Sequence, residues 1–321
     1  MKSVDILLAT YKPNMVYFEK LLSSLNMQSY SNINLIVRDD SDDEKVYDTI
    51  AALVDKSITA FSYQIIKNDK NIGSNKTFEQ LTKDASAEYI AFCDQDDIWE
   101  KEKIEKLVNV IKKEDAVLSY SDLSIIDEND ILIANSFKDI HKRLKHLDGN
   151  NLFDFFLRRN SVTGCTMLIK SVVAKAAIAL CNEFYTHDQW LTLYASSIGK
   201  IAYTSEPLIR YRIHGENQIG ATMLTGIESR EDYIEKKLMK ERDKYIILIK
   251  CYNFNDNHTN AIKNVLSWTE ERINFFEKKS FRNTISMLKK IRDDYQLILL
   301  EIAINLAPNM VGKKIIEKIK K

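Results

Sequence analysis

The sequence predicts an α/β fold: a doubly wound, mainly parallel sheet flanked by helices, followed by an all-helical C-terminal extension. Three observations carry this. Apolar runs of strand length alternate with helical stripes from Val4 onward, the pattern of βαβ units. Three of the first four runs end in polar residues: Thr10-Tyr11, Asp39-Asp40 and Asp94-Gln95-Asp96-Asp97. After about Gly226 the chain turns charged and helical in period, with almost no glycine or proline.

Taken in order, residues 4–10 (VDILLAT) form a continuous apolar run, as expected of a central strand covered on both faces. Pro13 and Asn14 break it, and Leu21, Leu22 and Leu25 then give a helical stripe. Residues 34–38 (NLIVR) are the second strand. A helix through Val46, Ile50 and Leu53 leads to a third at 61–67, and a polar turn at 68–75 opens a helix through Phe78 and Leu81. Residues 89–93 (YIAFC) are the fourth strand. A charged helix starts near Glu100, and Asp97 stands at capping-box spacing from that residue. Further along, a strand is expected at 116–120, an apolar stretch around an Asp-Glu-Asn-Asp turn at 125–134, and a short helix at 150–157. A strand follows at 160–169, then helices at 172–180 and from Thr186, and two separate late strands at 200–203 and 208–213. The extension carries amphipathic stripes at 233–252, 261–276 and 285–306. We place the boundary between residues 221 and 222.

Composition narrows the class. Lys+Arg and Asp+Glu both total 46, so no net field draws the chain to nucleic acid, which is not an expected partner. Hydrophobic residues make up 45%, enough for a substantial core. Cys93, Cys165, Cys181 and Cys251 are far apart with no C-x-x-C pair, which suits a reducing compartment, and Cys93 and Cys165, in apolar runs, read as buried thiols. Met1-Lys2-Ser3-Val4-Asp5 leads straight into a strand without a leader-like apolar region, and no run approaches the roughly 18–20 apolar residues of a spanning helix. The expectation is a cytoplasmic protein, peripheral to the inner face of a membrane. The basic amphipathic tail at residues 313–321 is the expected point of membrane contact, and the helical extension is expected to serve oligomerisation or membrane-proximal docking.

The chemistry concentrates where strands end. Parallel strands deliver their carboxyl ends to one edge of the sheet, where open α/β folds bind ligands. Asp94 and Asp96 alternate as two hard oxygen ligands from one turn can, a set suited to Mg²⁺ or Mn²⁺ with phosphate oxygens completing the sphere. Asp97 reads as the helix cap. Neither G-x-G-x-x-G nor G-x-x-x-x-G-K is present, so the usual dinucleotide and P-loop readings fail. An aromatic, carboxylates and a cation together suit a nucleotide diphosphate: Tyr11 can stack on a base, and an Asp of the second strand end can accept a pyrimidine N–H.

These residues resemble the family 2 glycosyltransferases, inverting enzymes with the GT-A fold. The resemblance runs from about Val4 to Ala221. It is carried by Thr10-Tyr11, Asp39-Asp40, Asn71-x-Gly73, Asp94-Gln95-Asp96-Asp97, Gly164-Cys165-Thr166, His187-Asp188-Gln189-Trp190 and Tyr211-Arg212-Ile213-His214-Gly215, in the family's order. The wording D-Q-D-D-I-W, G-C-T, H-D-Q-W and Y-R-x-H-G is most similar to bacterial rhamnosyltransferase-type members that build surface polysaccharide. The sequence departs at Arg38-Asp39-Asp40-Ser41, where the family more usually has glycine after the Asp pair.

The resemblance implies metal-dependent transfer of a sugar from dTDP-rhamnose or a UDP-hexose to a hydroxyl of a lipid-linked glycan acceptor. By it, Thr10, Tyr11, Asp40, Asn71, Gly73 and Asp94 hold the donor nucleotide, and Asp96, Asp94 and His214 hold Mn²⁺ or Mg²⁺. Asp188 is the general base, while Gly164, Cys165 and Trp190 meet sugar or acceptor. Plainer roles compete: a dipole-favoured Asp at a helix start for Asp188, a glycine turn for Gly164, a core tryptophan for Trp190, a loop histidine for His214. Two other functions stand beside the transferase: a nucleotidyltransferase, and a non-catalytic nucleotide-sugar-binding module.

Overall fold

The computed structural model describes residues 2–142, 144–178, 184–214, 226–278, 281–289 and 294–307. Its contacts divide the chain into two compact units, Met1–His214 and Gly215–Lys321. The expected boundary at 221/222 lies among residues 215–225, outside those described.

The first unit is built on strands β1 (Val4–Thr10), β2 (Ile33–Asp39), β3 (Ser62–Lys67), β4 (Tyr89–Cys93), β5 (Ile98–Trp99), β6 (Leu118–Ile126), β7 (Leu132–Ala134), β8 (Met167–Lys170) and β9 (Ile201–Arg212). They form one sheet in the order β3-β2-β1-β4-β8-β6-β9-β5, with β7 paired to β6. The first four strands run parallel. Strand β8 is antiparallel to both β4 and β6, whereas β6 and β9 are parallel, so the sheet is mixed beyond β4.

Helices cover the sheet because their apolar stripes have nowhere else to go. Helix α1 (Met15–Asn26) is capped by Asn14, whose side chain accepts from the amides of Val16 and Tyr17, and it buries Phe18, Leu21, Leu22 and Leu25. Asp43 caps α2 (Glu44–Ser57) in the same way, and Ile50 and Val54 face inward. Next come α3 (Ser74–Asp84), α4 (Lys103–Lys113), α5 (Phe137–Ile140), α6 (Phe153–Arg158), α7 (Ser171–Ala177) and α8 (His187–Ile198). One core cluster joins Ile6, Leu8, Leu35 and Val37 of the parallel strands to Leu107, Ile125 and Ile209 of the second half.

Three expectations change. Helix α4 begins at Lys103 and its N-cap, Glu102, makes no side-chain cap bond, so the proposed capping box does not form. Residues 98–99 pair instead with Ile209 and Arg210, which leaves Asp97 fully buried at the turn. The strand expected at 160–169 is a buried loop and a short 3-10 turn, Gly164–Thr166, before β8. The two late strands are one, β9. Its ladder with β6 slips near Pro207, which has no amide hydrogen to donate.

The second unit is helical. Helix α9 (Arg230–Asp232) runs through a π-helical stretch, Tyr233–Met239, into α10 (Lys240–Cys251), and α11 (Asp256–Glu277), α12 (Phe281–Lys289) and α13 (Tyr295–Leu306) follow. Tyr233, Leu238, Phe275, Phe276, Ile298 and Ile304 make its core. Within it Arg272 is buried against Glu301, with Nη2 donating to Oε1 at 2.6 Å, and the Tyr233 hydroxyl donates to the same carboxylate at 2.6 Å. The basic tail at 313–321 lies outside the described residues.

Candidate active site

The carboxyl ends of β1, β2 and β4 meet on one edge. Thr10, at the end of β1, donates its hydroxyl to Asp39 Oδ1 at 2.9 Å, and Ser41 donates to the same oxygen at 2.6 Å. Asp39 Oδ2 is buried and lacks a partner among the described residues. Asp40 is also buried, but both its oxygens are engaged: Oδ1 accepts from Asn68 Nδ2 and the Ile72 amide, and Oδ2 from the Gly73 amide, each at 2.8 Å. Asn71 Nδ2 donates to the Asp40 carbonyl at 3.2 Å. Asp40 therefore shapes the 68–73 loop, and Gly73, at φ +82°, supplies the left-handed turn that starts α3. Tyr11 is 49% exposed. Its backbone is clamped by the Gln95 amide, which accepts from Tyr11 N at 2.8 Å and donates to Tyr11 O at 3.2 Å. Gln95 thus welds the end of β1 to the end of β4.

At the end of β4, carboxylates crowd together. Asp96 Oδ2 lies 2.7 Å from His214 Nε2, so the structure joins two of the residues expected at a cation. Asp94, Asp97 and Cys165 place potential ligand atoms within 4.8 Å of one another. Burial, then the charges of Asp96 and Asp188, push the Asp94 pKa up to about 7. Burial likewise drives Asp97 well above the usual carboxylate range, with Asp96 and Asp94 adding to it. Asp97 Oδ1 accepts from the Arg212 amide at 3.2 Å, while Oδ2 is buried without a partner among the described residues.

Two buried cations brace this knot. Lys103 is fully buried, donates from Nζ to the Cys165 carbonyl at 2.6 Å and stands over the Trp99 ring. Burial pulls its pKa down to about 7. Arg212 is also fully buried: Nε donates to the Asp96 carbonyl at 2.9 Å, Nη1 to the Asp127 carbonyl at 3.1 Å and to Asp130 Oδ1 at 2.5 Å, and its plane lies 4.3 Å from the Tyr17 ring centroid. Sequence reasoning missed Lys103 and gave Arg212 no role, although it stands in the Tyr211-Arg212-Ile213-His214-Gly215 motif. A lysine in a charged helix start reads as solvated, and only its position one turn after a buried strand pair hints otherwise.

The first turn of α8 completes the site. Asp188 Oδ1 accepts from the Thr186 hydroxyl and, at 2.7 Å, from the Gln189 amide, whereas Oδ2 meets Asn160 Nδ2 at 3.5 Å. Its charge is felt at Asp94, so the carboxylates of β4 and α8 face common ground. His187 packs on Phe78 and Phe92, with ring centroids 4.1 and 5.3 Å apart, and its amide donates to Asn75 at 3.0 Å. Burial pulls the His187 pKa down, against the opposing charge of Asp188.

The three residues expected at sugar or acceptor, Gly164, Cys165 and Trp190, lie in the interior. Trp190 is 1% exposed, donates Nε1–H to the Ala177 carbonyl at 2.7 Å and packs between Tyr185 and Tyr194, so no face is open to a pyranose. Cys165 is fully buried. Gly164 is buried too, and the group that approaches it closely is the His187 ring: a Cβ there would lie 2.6 Å from Nε2.

Asp94, Asp96 and His214 are a mostly hard donor set. Burial and the charge of Asp96 push the Asp94 carboxyl up, which a divalent cation would relieve; the unpartnered buried oxygen belongs to Asp97, further along the same turn. Asp96 and His214 touch, whereas Asp94 gathers with Asp97 and Cys165, so the chemistry of the donors fits such an ion while their grouping here differs from the expected set.

Residues 6–175 match the family described as Glycosyl transferase family 2. An uncharacterized glycosyltransferase of Rickettsia typhi is 28% identical over 73% of this chain and 71% of its own length. The UDP-Glc:alpha-D-GlcNAc-diphosphoundecaprenol beta-1,3-glucosyltransferase WfaP of Escherichia coli is 32% identical over 43% of this chain and 51% of its own. The dTDP-rhamnosyl transferase RfbG of Shigella flexneri is 26% identical over 67% and 74%. Among solved structures, S. aureus TarS 1-349 in complex with UDP-GlcNAc superposes with a TM-score of 0.58 at 15% identity, covering 99% of this chain and 90% of that one. This likeness shows the fold, GT-A, mixed sheet and C-terminal helices included.

Proposed function

The chain belongs to glycosyl transferase family 2, and from that premise we propose an inverting, metal-dependent enzyme that extends a lipid-linked bacterial surface polysaccharide. As a glycosyltransferase of this family it acts on nucleotide-sugar donors; dTDP-rhamnose and UDP-hexoses are the donors we propose. The observation that carries the reading is the gathering of carboxylates at the end of β4, where Asp96 contacts His214 and the charges of Asp96 and of Asp188 in α8 act on Asp94. WfaP, by its name, uses a diphosphoundecaprenol-linked acceptor, and RfbG, by its name, transfers dTDP-activated rhamnose. Both support the acceptor and donor classes.

In this reading Tyr11 and the loop held by Asp40, with Asn71 and Gly73, cradle the base, while Thr10 keeps Asp39 in place. Asp94, Asp96 and His214 would hold Mn²⁺ or Mg²⁺, which when bound neutralises charge on the departing diphosphate. Asp188 Oδ1 is fixed by Thr186 and Gln189, so Oδ2 is the oxygen that takes the acceptor's hydroxyl proton. The acceptor oxygen bonds to the anomeric carbon as the bond to diphosphate breaks on the opposite side. One base and one displacement invert the centre, and no second carboxylate nucleophile is required. Lys103 and Arg212 touch backbone carbonyls beside the carboxylates and act as positioning residues.

The test pairs two measurements. Asp188→Asn should lower sugar transfer by about 10²–10⁴-fold, yet keep the rise in melting temperature that UDP or dTDP with Mn²⁺ gives the wild type. Transfer surviving in that variant, or nucleotide stabilisation indifferent to Mn²⁺, would overturn the assignment.

A further inference from the structure

The nucleotide loop and the helix of the proposed base are joined by a side chain to which the transferase reading gives no role. Asn75 lies in the first turn of α3, two residues after Gly73. Both ends of its carboxamide reach across to the chain entering α8. Nδ2 donates to the Tyr185 carbonyl at 2.8 Å, and Oδ1 accepts from the His187 amide at 3.0 Å, partners 110 and 112 positions away. Two bonds from one planar group fix a backbone in direction as well as distance.

Helix α8 has a particular need of this tie. The first amides of a helix have no partner within it and are commonly met by the side chain of the N-cap residue. The N-cap here is Thr186, which makes no cap bond; its hydroxyl donates to Asp188 Oδ1 instead. The same oxygen accepts from the Gln189 amide at 2.7 Å, so the helix start is built around the carboxylate. The amide of His187, the first residue of the helix, is therefore met from outside, by Asn75. Phe78, one turn further along α3, packs on the His187 ring and backs the same contact. The other end of the link is the nucleotide loop. Asp40 accepts from the Ile72 and Gly73 amides, and Asn68 Nδ2 donates to Asp40 Oδ1 and, at 3.3 Å, to the Thr77 hydroxyl of α3. Loop 68–73 and the start of α3 are one braced piece, which Asn75 extends to residues 185–187.

We propose that Asn75 is a positioning residue for sugar transfer: it sets the start of α8, and with it Asp188, at a fixed place relative to the loop that holds the donor. The inference rests on the reading of Asp188 as the base. Displacement at the anomeric carbon needs donor, acceptor oxygen and base in line. The donor is held from the side of loop 68–73 and the base from α8, and Asn75 ties one to the other by hydrogen bonds. A clip that only added stability would lower activity through the folded fraction and would act the same with or without the Asp188 carboxylate.

The experiment is a double-mutant cycle in turnover. The full chain is assayed with Mn²⁺, a diphosphoundecaprenol-linked sugar and the better of dTDP-rhamnose and UDP-glucose, as wild type, Asn75→Ala, Asp188→Asn and the two together. Asn75→Ala should lower kcat by about 10²-fold, the cost of a misplacement of about 1 Å. The donor KM should stay within about twofold of wild type, and UDP or dTDP with Mn²⁺ should still raise the melting temperature. In the Asp188→Asn background the same substitution should change kcat by less than about twofold, because no base is left to misplace. Asn75→Asp keeps the size of the side chain and the acceptor for His187, and an acidic residue suits the first turn of α3. It loses the donor to Tyr185 and should lower kcat by about tenfold, which decides the matter if the alanine variant misfolds. Wild-type kcat for both Asn75 variants overturns the proposal. So does an equal loss in the two backgrounds, which would make Asn75 a structural clip, and so does a raised donor KM at unchanged kcat, which would make it a donor contact. Full transfer by Asp188→Asn would remove the base itself and the positioning role with it, whereas an inactive Asp188→Asn beside a fully active Asn75→Ala removes the positioning role alone.

Discussion

Replacing Gly164 by alanine tests how the structure holds Asp188. The φ of Gly164 is not positive, so its backbone accepts a side chain, and the only obstacle is space. A Cβ would sit 2.6 Å from His187 Nε2, 3.3 Å from its Cε1 and 3.6 Å from Asp188 Cβ. Carbon contacts settle near 3.5–4.0 Å, so the ring must retreat by roughly an ångström. It has little room: Phe78 and Phe92 hold both sides, and the His187 amide is tied to Asn75. Overpacking of this kind costs about 1–3 kcal/mol, which for a unit of this size lowers the melting temperature by about 5 °C. Activity should suffer more, since Asp188 follows directly on the displaced residue and a misplacement of about 1 Å costs roughly 10²-fold. The decisive assay is a double-mutant cycle with His187→Ala, which removes the obstructing ring. The cost of Gly164→Ala should largely vanish in that background, giving a coupling of about 1 kcal/mol or more. Simple addition of the two effects, or a wild-type melt and turnover for Gly164→Ala alone, would refute the account.

Other substitutions address other parts of the molecule. Asp40→Asn turns one acceptor toward donors that need it, so the loop amides of Ile72 and Gly73 lose a partner; we expect a loss of about 1–3 kcal/mol in thermal melts and weaker binding in a UDP titration. Burial pushes the Asp122 carboxyl up, but His146, Ser136 and the amides of Leu123 and Phe137 outweigh it and hold the pKa below the ordinary value. A depressed acid stabilises the fold above its unfolded pKa and loses that contribution as pH falls through the folded value. Asp122→Asn should therefore be clearly less stable than wild type at pH 7, with the gap closing in melts taken below about pH 4. Arg272→Met leaves Glu301 buried without its cation, which should cost the helical unit about 3–5 kcal/mol. Amide exchange in Asp256–Glu277 and Tyr295–Leu306 should accelerate by orders of magnitude while Val4–Thr10 is unaffected.

Much of the fold was legible because burial on both faces leaves a plain mark. Val4–Thr10, Ile33–Asp39 and Tyr89–Cys93 read as apolar runs since helices cover the sheet on either side. The second half was harder. The β9 strand was split in two because exposed polar residues and Pro207 interrupt its middle, although the ladder with β6 carries it across the slip. Asp97 resembled a cap from its spacing to Glu100, but the turn belongs to the β5–β9 pairing, a long-range contact that local spacing cannot encode.

The site shows the same division in chemical terms. Its carboxylates and His214 stood out because polar residues at strand ends are visible in the sequence itself. What fixes those groups is spread along the chain. Lys103 and Arg212 lie 109 positions apart by their numbers, and each is buried with its charge aimed at a backbone carbonyl beside the cluster. Neither can be told from a surface cation until the sheet is assembled. Trp190 shows the converse error: in an H-D-Q-W run it looks like a sugar platform, but an α8 that places Asp188 toward Asp94 turns Trp190, two residues on, into the core against Ala177. On a helix, residues two apart point roughly 200° away from each other. The direction of Asp188 and the burial of Trp190 are thus one geometric statement, and a substitution that loosened Trp190 should be read first in the position of Asp188.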